Sequence, residues 1–189
     1  LFLCKGASFK EEYLDFALKN GAFAYISSVS YGKRGEILVS DIREAMITLA
    51  LIFYDNAPSK LTSIGITGTK GKSTTAYFLR EILNKYLESI NKNKCAIISS
   101  IDTYDGKESF ESHITTPETF EFHKHFSNAY ESGITHLITE ISSQSLKYGR
   151  VKGVTFDIAA FTNIGQDHIS DVEHKDFEDY FSSKLKIFD

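Results

Sequence analysis

The chain has 189 residues, 42% hydrophobic and 24% charged, with a formal net charge of −4, enough for one sizeable core or two modest ones. That acidic balance argues against nucleic acid as a main partner, which needs a basic face, and no apolar run reaches the roughly 20 residues of a membrane span. Cys4 and Cys95 stand far apart, which suits a reducing, cytoplasmic compartment better than a disulfide scaffold.

"LFLCKG" opens the chain as an apolar, buried strand closed by glycine. "SFKEEYLDFALKNG" follows with Tyr13, Leu14, Ala17 and Leu18 at helical spacing and Gly21 placed as a C-cap. "AFAYISS" and "EILVS" read as short strands, and "DIREAMITLALIFYDNAP" as a helix capped by Asp41. These elements make a small, partial α/β domain over residues 1–58, with a linker at about 55–61. The absence of an initiator Met and the stop at "KLKIFD", inside a helical pattern, are expected of a piece of a longer protein.

The strand "LTSIGIT" begins a second domain, expected over residues 59–189. A glycine-rich loop follows, then a helix from about Ser73 to Leu87 with Ala76, Leu79, Leu83 and Tyr86 on one face. "KCAIISS" is a buried strand. "TPETFEFHKHFSNAYESG" reads as a helix with Thr116 as N-cap, Pro117 at its first position and Gly133 after its end. "THLITEIS" and "FDIAAFTN" are further strands, and "FEDYFSSKLKIF" starts another helix. Alternating strands and helices predict a P-loop α/β domain with a mostly parallel, doubly wound sheet.

Ligands of such sheets bind outside the carboxyl ends of the strands. Thr67–Ser73, Ser99–Ser100, Glu140–Ser143 and Thr162–His168 should therefore share one crevice. "GITGTKGKSTT" (65–75) departs from the general P-loop spelling, which wants glycine where Ile66 stands. Lying between a strand and an amphipathic helix, the segment Gly68, Thr69, Lys70, Gly71, Lys72, Ser73, Thr74 can still point backbone N–H groups at phosphates. Lys72 would reach the β- and γ-phosphates, and Ser73 would offer its hydroxyl to Mg²⁺. The competing reading is a plain strand–turn–helix junction with Lys70 and Lys72 solvated. Glu140 either caps a helix or holds a metal ion, and its place beside the loop favours metal. His168 alone would be a surface-loop histidine. His123 and His125 are expected to be solvated on their helix, and His113, His136 and His174 carry no independent signal.

The order of "GITGTKGKSTT", "TTPET", "EISSQSL", "GRV", "FTNIGQDHI" and "FEDYFSSKLKIF" resembles the Mur ligases, most of all those adding the third residue of the peptidoglycan stem peptide. "LFLCKG" and "ALIFYDNAPSKLTSIGITGT" resemble that family's uridine-binding domain and its run into the ATPase domain. The resemblance implies ATP-dependent ligation: ATP phosphorylates a D-Glu side-chain carboxylate of a UDP-MurNAc-dipeptide, and an amino acid's amine attacks the acyl phosphate. It implies ATP and Mg²⁺ as cofactors, Lys72 on the phosphates, Asn163 in the nucleotide pocket, and Ser73, Glu140, His168 and Lys184 around metal. Lys184 matches the lysine that becomes carbamoylated, an assignment carried by the resemblance alone. Thr115, Thr116, Ser142 and Arg150 match positions holding the muramoyl-dipeptide, and Arg150 has the planar fork suited to an anion. Gln144 stands where many members have His, and "DHIS" replaces "DHLD", variants similar to those of Gram-positive cocci, which often add L-lysine. L-Lysine is thus expected ahead of meso-diaminopimelate, and the 189 residues alone are expected to be inactive. The alternatives are a related ligase such as folylpolyglutamate synthase, or a non-catalytic nucleotide-binding module.

Overall fold

Two sets of apolar runs pair into two separate sheets in the computed structural model, which describes residues 1–6, 8–170 and 173–189. The backbone divides into two units, Leu1–Leu49 and Ala50–Asp189. In the first unit, β1 (Phe2–Leu3), β2 (Tyr25–Ser27) and β3 (Glu36–Leu38) form a parallel sheet in that order, with α1 (Glu11–Lys19) between β1 and β2 in sequence. Leu14, Tyr25 and Cys4 are its buried centre, against Phe2, Phe9, Leu18 and Tyr31. The strand expected at the start is only the two-residue edge β1, and it is half-buried. Asp41 Oδ1 accepts the N–H groups of Arg43 and Glu44 at 2.7 and 3.3 Å, capping α2 (Ile42–Phe53) as its sequence predicts.

The second unit carries a six-stranded sheet ordered β7-β6-β5-β8-β4-β9. Its members are β4 (Thr62–Thr67), β5 (Ala96–Ile98), β6 (Asp102–Tyr104), β7 (Ser109–Glu111), β8 (His136–Glu140) and β9 (Ile158–Phe161). Strands β5, β8, β4 and β9 are mutually parallel, and β6 and β7 add an antiparallel edge. Alternation along the strands splits the core in two. Ile64, Ile66, Ile97 and Ile138 meet Ala76 and Leu87 of α3 (Lys72–Ser89). Ala96, Ile98 and Leu137 point the other way, onto Phe122, Phe126 and Ala129 of α4 (Thr119–Glu131). With helices packed on both faces, the sheet is doubly wound. From β4 the chain crosses past β8 to β5, returns to β8, and then crosses to β9 on β4's other side. The carboxyl ends of all four parallel strands therefore converge beside α3, where a ligand is expected.

Four points of the sequence reading need correction. The β6–β7 hairpin was not predicted, because its strands are three residues long and mostly polar. Helix α4 starts at Thr119 with Glu118 as N-cap, two residues later than expected. Thr116 does not cap it, since its hydroxyl donates to Glu140 O (3.0 Å) and accepts from Ser142 N–H (3.0 Å). His123 and His125 are fully buried rather than solvated. His125 Nδ1 lies 2.6 Å from Asp105 Oδ2, tying α4 to the hairpin turn. Burial alone would raise the Asp105 pKa, but hydrogen bonds from His125, Glu108 N–H, Asn128 and Lys107 N–H outweigh it and hold the carboxyl at about 2. Residues Ala57–Lys60, expected in a linker, form a 3-10 turn whose Ala57 and Pro58 are buried. No helix among the described residues is long and apolar enough to cross a membrane.

Candidate functional site

Beyond Thr67 the backbone of β4 enters positive φ twice, at Gly68 (+147°) and Gly71 (+81°). A Cβ at Gly68 would lie 2.0 Å from Thr162 Oγ1, so only glycine fits. Helix α3 begins at Lys72 with Gly71 as an N-cap that supplies no side-chain acceptor, leaving its first N–H groups for an external anion. The loop is sewn to the segment after β9. Asn163 O accepts Thr69 N–H (3.0 Å), Asn163 Oδ1 accepts Lys70 N–H (3.0 Å), and Asn163 Nδ2 donates to Lys70 O (2.9 Å). Thr69 Oγ1 accepts Gly165 N–H at 3.0 Å and pairs with Tyr180 OH at 3.0 Å. Thr69, Lys70 and Asn163 thus fix the shape of the loop, and Thr74 sits exposed in the first turn of α3.

Glu140, last residue of β8, is fully buried yet ends a strand of apolar neighbours. Its Oε2 accepts the hydroxyls of Ser73 (3.0 Å) and Ser100 (2.9 Å), and Oε1 accepts Ser100 N–H (3.2 Å). A carboxylate beside two hydroxyls is a hard-oxygen set, the chemistry that suits Mg²⁺.

Lys72 and Lys184, from α3 and from α6 (Phe177–Leu185), converge on one acceptor. Lys72 Nζ donates to Gly68 O at 3.0 Å and to Thr69 O at 3.3 Å; Lys184 Nζ donates to the same Gly68 O at 2.8 Å. Lys184 is 1% exposed, with its ammonium 4.7 Å from the Tyr180 ring. Burial first, and then the charge of Lys72, push its pKa down to about 7. Burial lowers Lys72 as well, against the pull of Glu140 and Asp167. A cavity of about 180 Å³ is lined by Lys72, Thr115, Ser142, Arg150, His168 and Lys184, so six of the residues picked from sequence share one space. His168 sits at φ +57°, its Nδ1 3.1 Å from Glu173 Oε2. Arg150 is held by Glu118, with Nε 2.8 Å from Oε1.

The model of the Mur ligase middle domain matches residues 66–189, from the last turn of β4 to the final residue. The chain belongs to the Mur ligase family. UDP-N-acetylmuramoyl-L-alanyl-D-glutamate–L-lysine ligases of Enterococcus faecalis and Streptococcus agalactiae are each 44% identical to it, over 99% and 100% of this chain. The chain spans only 37% and 38% of their lengths. A UDP-N-acetylmuramyl-tripeptide synthetase of Lactobacillus delbrueckii subsp. bulgaricus is 39% identical over 99% of the chain. Among solved structures, a UDP-N-acetylmuramoyl-L-alanyl-D-glutamate–2,6-diaminopimelate ligase superposes with TM-score 0.74 at 26% identity, covering 94% of this chain and 35% of that one. A MurF ligase from Thermotoga maritima in complex with ADP shares the fold at TM-score 0.57 and 22% identity, over 99% of this chain and 39% of that one.

In this Mur ligase chain the picked residues fall into three groups. Ser73 and Glu140 are joined by a hydrogen bond, whereas His168 and Lys184 line the cavity. Among the described residues, no hydrogen bond links those two pairs. Thr116 is fully buried behind the cavity wall, bracing β8 against α5 (Ser143–Lys147). Ser142 caps α5, its Oγ accepting Ser145 N–H at 3.1 Å. Sequence reasoning missed Glu173, Tyr180 and His174 in the Mur ligase site, and it placed Ser143 there only as the end of the segment Glu140–Ser143. His174 is fully buried with Nε2 2.9 Å from Ser143 Oγ. Those two residues lie 31 positions apart, so no local spacing could have signalled them. Asp171 and Val172, in the variant stretch after "DHIS", lie outside the described residues.

Proposed function

We propose that the whole protein is an ATP-dependent ligase of peptidoglycan precursor synthesis, joining L-lysine, ahead of meso-diaminopimelate, to UDP-MurNAc-L-Ala-D-Glu. The observation that carries this reading is a pair of lysines, one half-buried and one buried, on one carbonyl at the mouth of a glycine loop that opens a helix. Such a place favours anions twice over, through uncapped N–H groups and through the ammonium of Lys72. The 44% identity to lysine-adding ligases over essentially the whole chain supports the substrate class. Residues 1–58 would then be part of a UDP-binding domain and 59–189 part of the ATP-binding domain. The cytoplasm is the compartment proposed for this reaction, which agrees with two free, widely separated cysteines.

The chemistry needs a triphosphate and a carboxylate held together despite their repulsion. An oxygen of the D-Glu carboxylate attacks the γ-phosphorus and ADP leaves. The amine nitrogen then attacks the acyl carbon, phosphate departs with its bonding electrons, and the nitrogen sheds a proton to leave the amide. The N–H groups of Gly68–Thr74 and the ammonium of Lys72 would take the phosphate charge, and Asn163 would hold the loop in that shape. Arg150, Thr115 and Ser142 would orient the acid substrate in the cavity, with Thr116 keeping the wall behind them in place. Ser73, Glu140, His168 and a carbamoylated Lys184 would hold Mg²⁺, which supplies charge neutralisation on the phosphates. Lys184 is suited to carbamoylation because a pKa of about 7 leaves much of its amine neutral, the form that adds to carbon dioxide.

The test is direct. The whole protein, ATP and Mg²⁺ are incubated with UDP-MurNAc-L-Ala-D-Glu and equal L-lysine and meso-diaminopimelate, and products are weighed by mass spectrometry. The lysine-containing tripeptide with ADP is expected. Absence of both tripeptides would refute the reading, and a diaminopimelate product would correct the amino acid alone.

A further inference from the structure

We propose that Ser143 faces the cavity as a fixed hydrogen-bond acceptor, locked by His174 and Asp179, and reads an N–H donor of the ligand there. The donor is either an amide of the acid substrate or the attacking amine, so this inference rests on the ligase reading above.

The lock begins at Asp179 on α6. Its carboxylate is held below the usual range, first by the Lys147 ammonium, 2.6 Å away. His174 Nδ1 lies 3.5 Å from the same Oδ2 and, although buried, has no hydrogen bond of ordinary length. Burial pushes the His174 pKa down, so at neutral pH the ring carries a single proton. On Nδ1, that proton points its dipole at the carboxylate. On Nε2, it would leave the Nδ1 lone pair facing a negative charge. The proton therefore belongs on Nδ1, and Nε2 is an acceptor.

The consequence falls on Ser143, whose Oγ is 2.9 Å from that Nε2. A hydroxyl has one hydrogen, and here it is given to His174. What remains for the cavity is oxygen lone pairs. Among its polar neighbours Lys72 and Arg150 only donate, while Thr115, Ser142 and Gln144 can do both. Glu173 does accept, but its oxygens already face His168 Nδ1 (3.1 Å) and Gln144 Nε2 (3.4 Å). Ser143 is thus an acceptor in a donor-rich cavity. Anionic ligand oxygens belong at Lys72 and Arg150, and a ligand N–H belongs at Ser143.

Two measurements test this on the whole protein. In steady-state ligation, Ser143→Ala should raise KM about tenfold or more for the UDP-MurNAc-dipeptide or for the amino acid, the loss typical of one hydrogen bond to a charged or buried group. Whichever rises identifies the N–H donor. The KM for ATP should stay within about twofold, and Ser143→Thr, which keeps the hydroxyl, should stay near wild type. Unchanged KM values for both, or an equal rise in all three, would overturn the proposal. The second measurement is ¹⁵N NMR of the His174 ring in the wild type, where a proton on Nδ1 and a bare Nε2 are expected. A proton on Nε2 would overturn the lock whatever the kinetics. Failure of the wild type to make tripeptide would instead remove the ligase reading and its ligand, a result the NMR separates from a wrongly oriented hydroxyl.

Discussion

Lys184 is a residue whose removal should make the protein more stable and less useful. In the folded chain its pKa is about 7, against an ordinary 10.5. Between those values the unfolded state binds the proton more tightly, so stability rises with pH across that window. A shift of that size corresponds to a buried-charge penalty of about 5 kcal/mol, felt almost fully near pH 6 and reduced to about 2 kcal/mol near pH 9. Against it stands the bond to Gly68 O, 2.8 Å long, worth about 2 kcal/mol. Methionine has a similar length and neither charge nor donor. Lys184→Met should therefore stabilise the ligand-free protein by about 3 kcal/mol near pH 6, with the gain falling by about 2.5 kcal/mol on going to about pH 9. Packing terms cancel in that second figure. The assay is urea denaturation of both proteins at the two pH values, in carbonate-free buffer so that the amine stays unmodified. A variant less stable than wild type near pH 6, or a gap that does not change with pH, would refute the reasoning. Ligation by the same variant should be lost.

Two further outcomes follow from the loop and the hairpin. Gly68→Ala should weaken ATP binding more than tenfold in calorimetry, because its Cβ would meet Thr162 Oγ1 at 2.0 Å and push the loop off β9. Gly71→Ala has open space at its Cβ, so it should cost only about 1 kcal/mol of stability for its positive φ; similar damage from both would contradict the steric account. Asp105→Asn should destabilise the protein at neutral pH. The Asp105 carboxyl is depressed from 3.8 to about 2, so its contribution is present above about pH 4 and lost as pH falls through about 2. That share of the gap between wild type and variant, about 2.5 kcal/mol, should close over this range in acid denaturation, and a gap independent of pH would exclude the carboxylate as its source.

What could be read from the sequence was what depends on near neighbours. Ile64, Ile66, Ile97 and Ile138 mark strands because their apolar character is local, and strand order then brings Ser73, Ser100 and Glu140 together through one topological rule. Where partners are distant, the sequence was silent. The spacing of His123 and His125 puts them on different sides of α4, and both are expected in solvent. In the fold, one ring meets Asp105 of the hairpin and the other Lys152 O. The hairpin's best signal was Asp105-Gly106, with Gly106 at φ +88°, a turn pair too weak to reveal three-residue polar strands. The start of α4 is expected at Thr116, but the last carbonyl of β8 takes the Thr116 hydroxyl and Glu118 becomes the N-cap.

The same locality explains why Lys184 could be placed only by resemblance. On its helix it is one more lysine; its character arises from Gly68 O, a partner 116 positions away. Bonding that one oxygen at 3.0 and 2.8 Å places the Lys72 and Lys184 ammoniums within about 6 Å of each other. Two like charges at that distance repel by about 3 kcal/mol at an effective dielectric near 20. Carbamoylation of Lys184 would remove that repulsion, because the ammonium becomes an anionic carbamate that attracts Lys72 instead. Burial and this repulsion, which destabilise the unmodified fold, are then what favour the modified form. Lys184→Met should therefore gain stability and lose ligation together, and a variant that gained the first without losing the second would break that link.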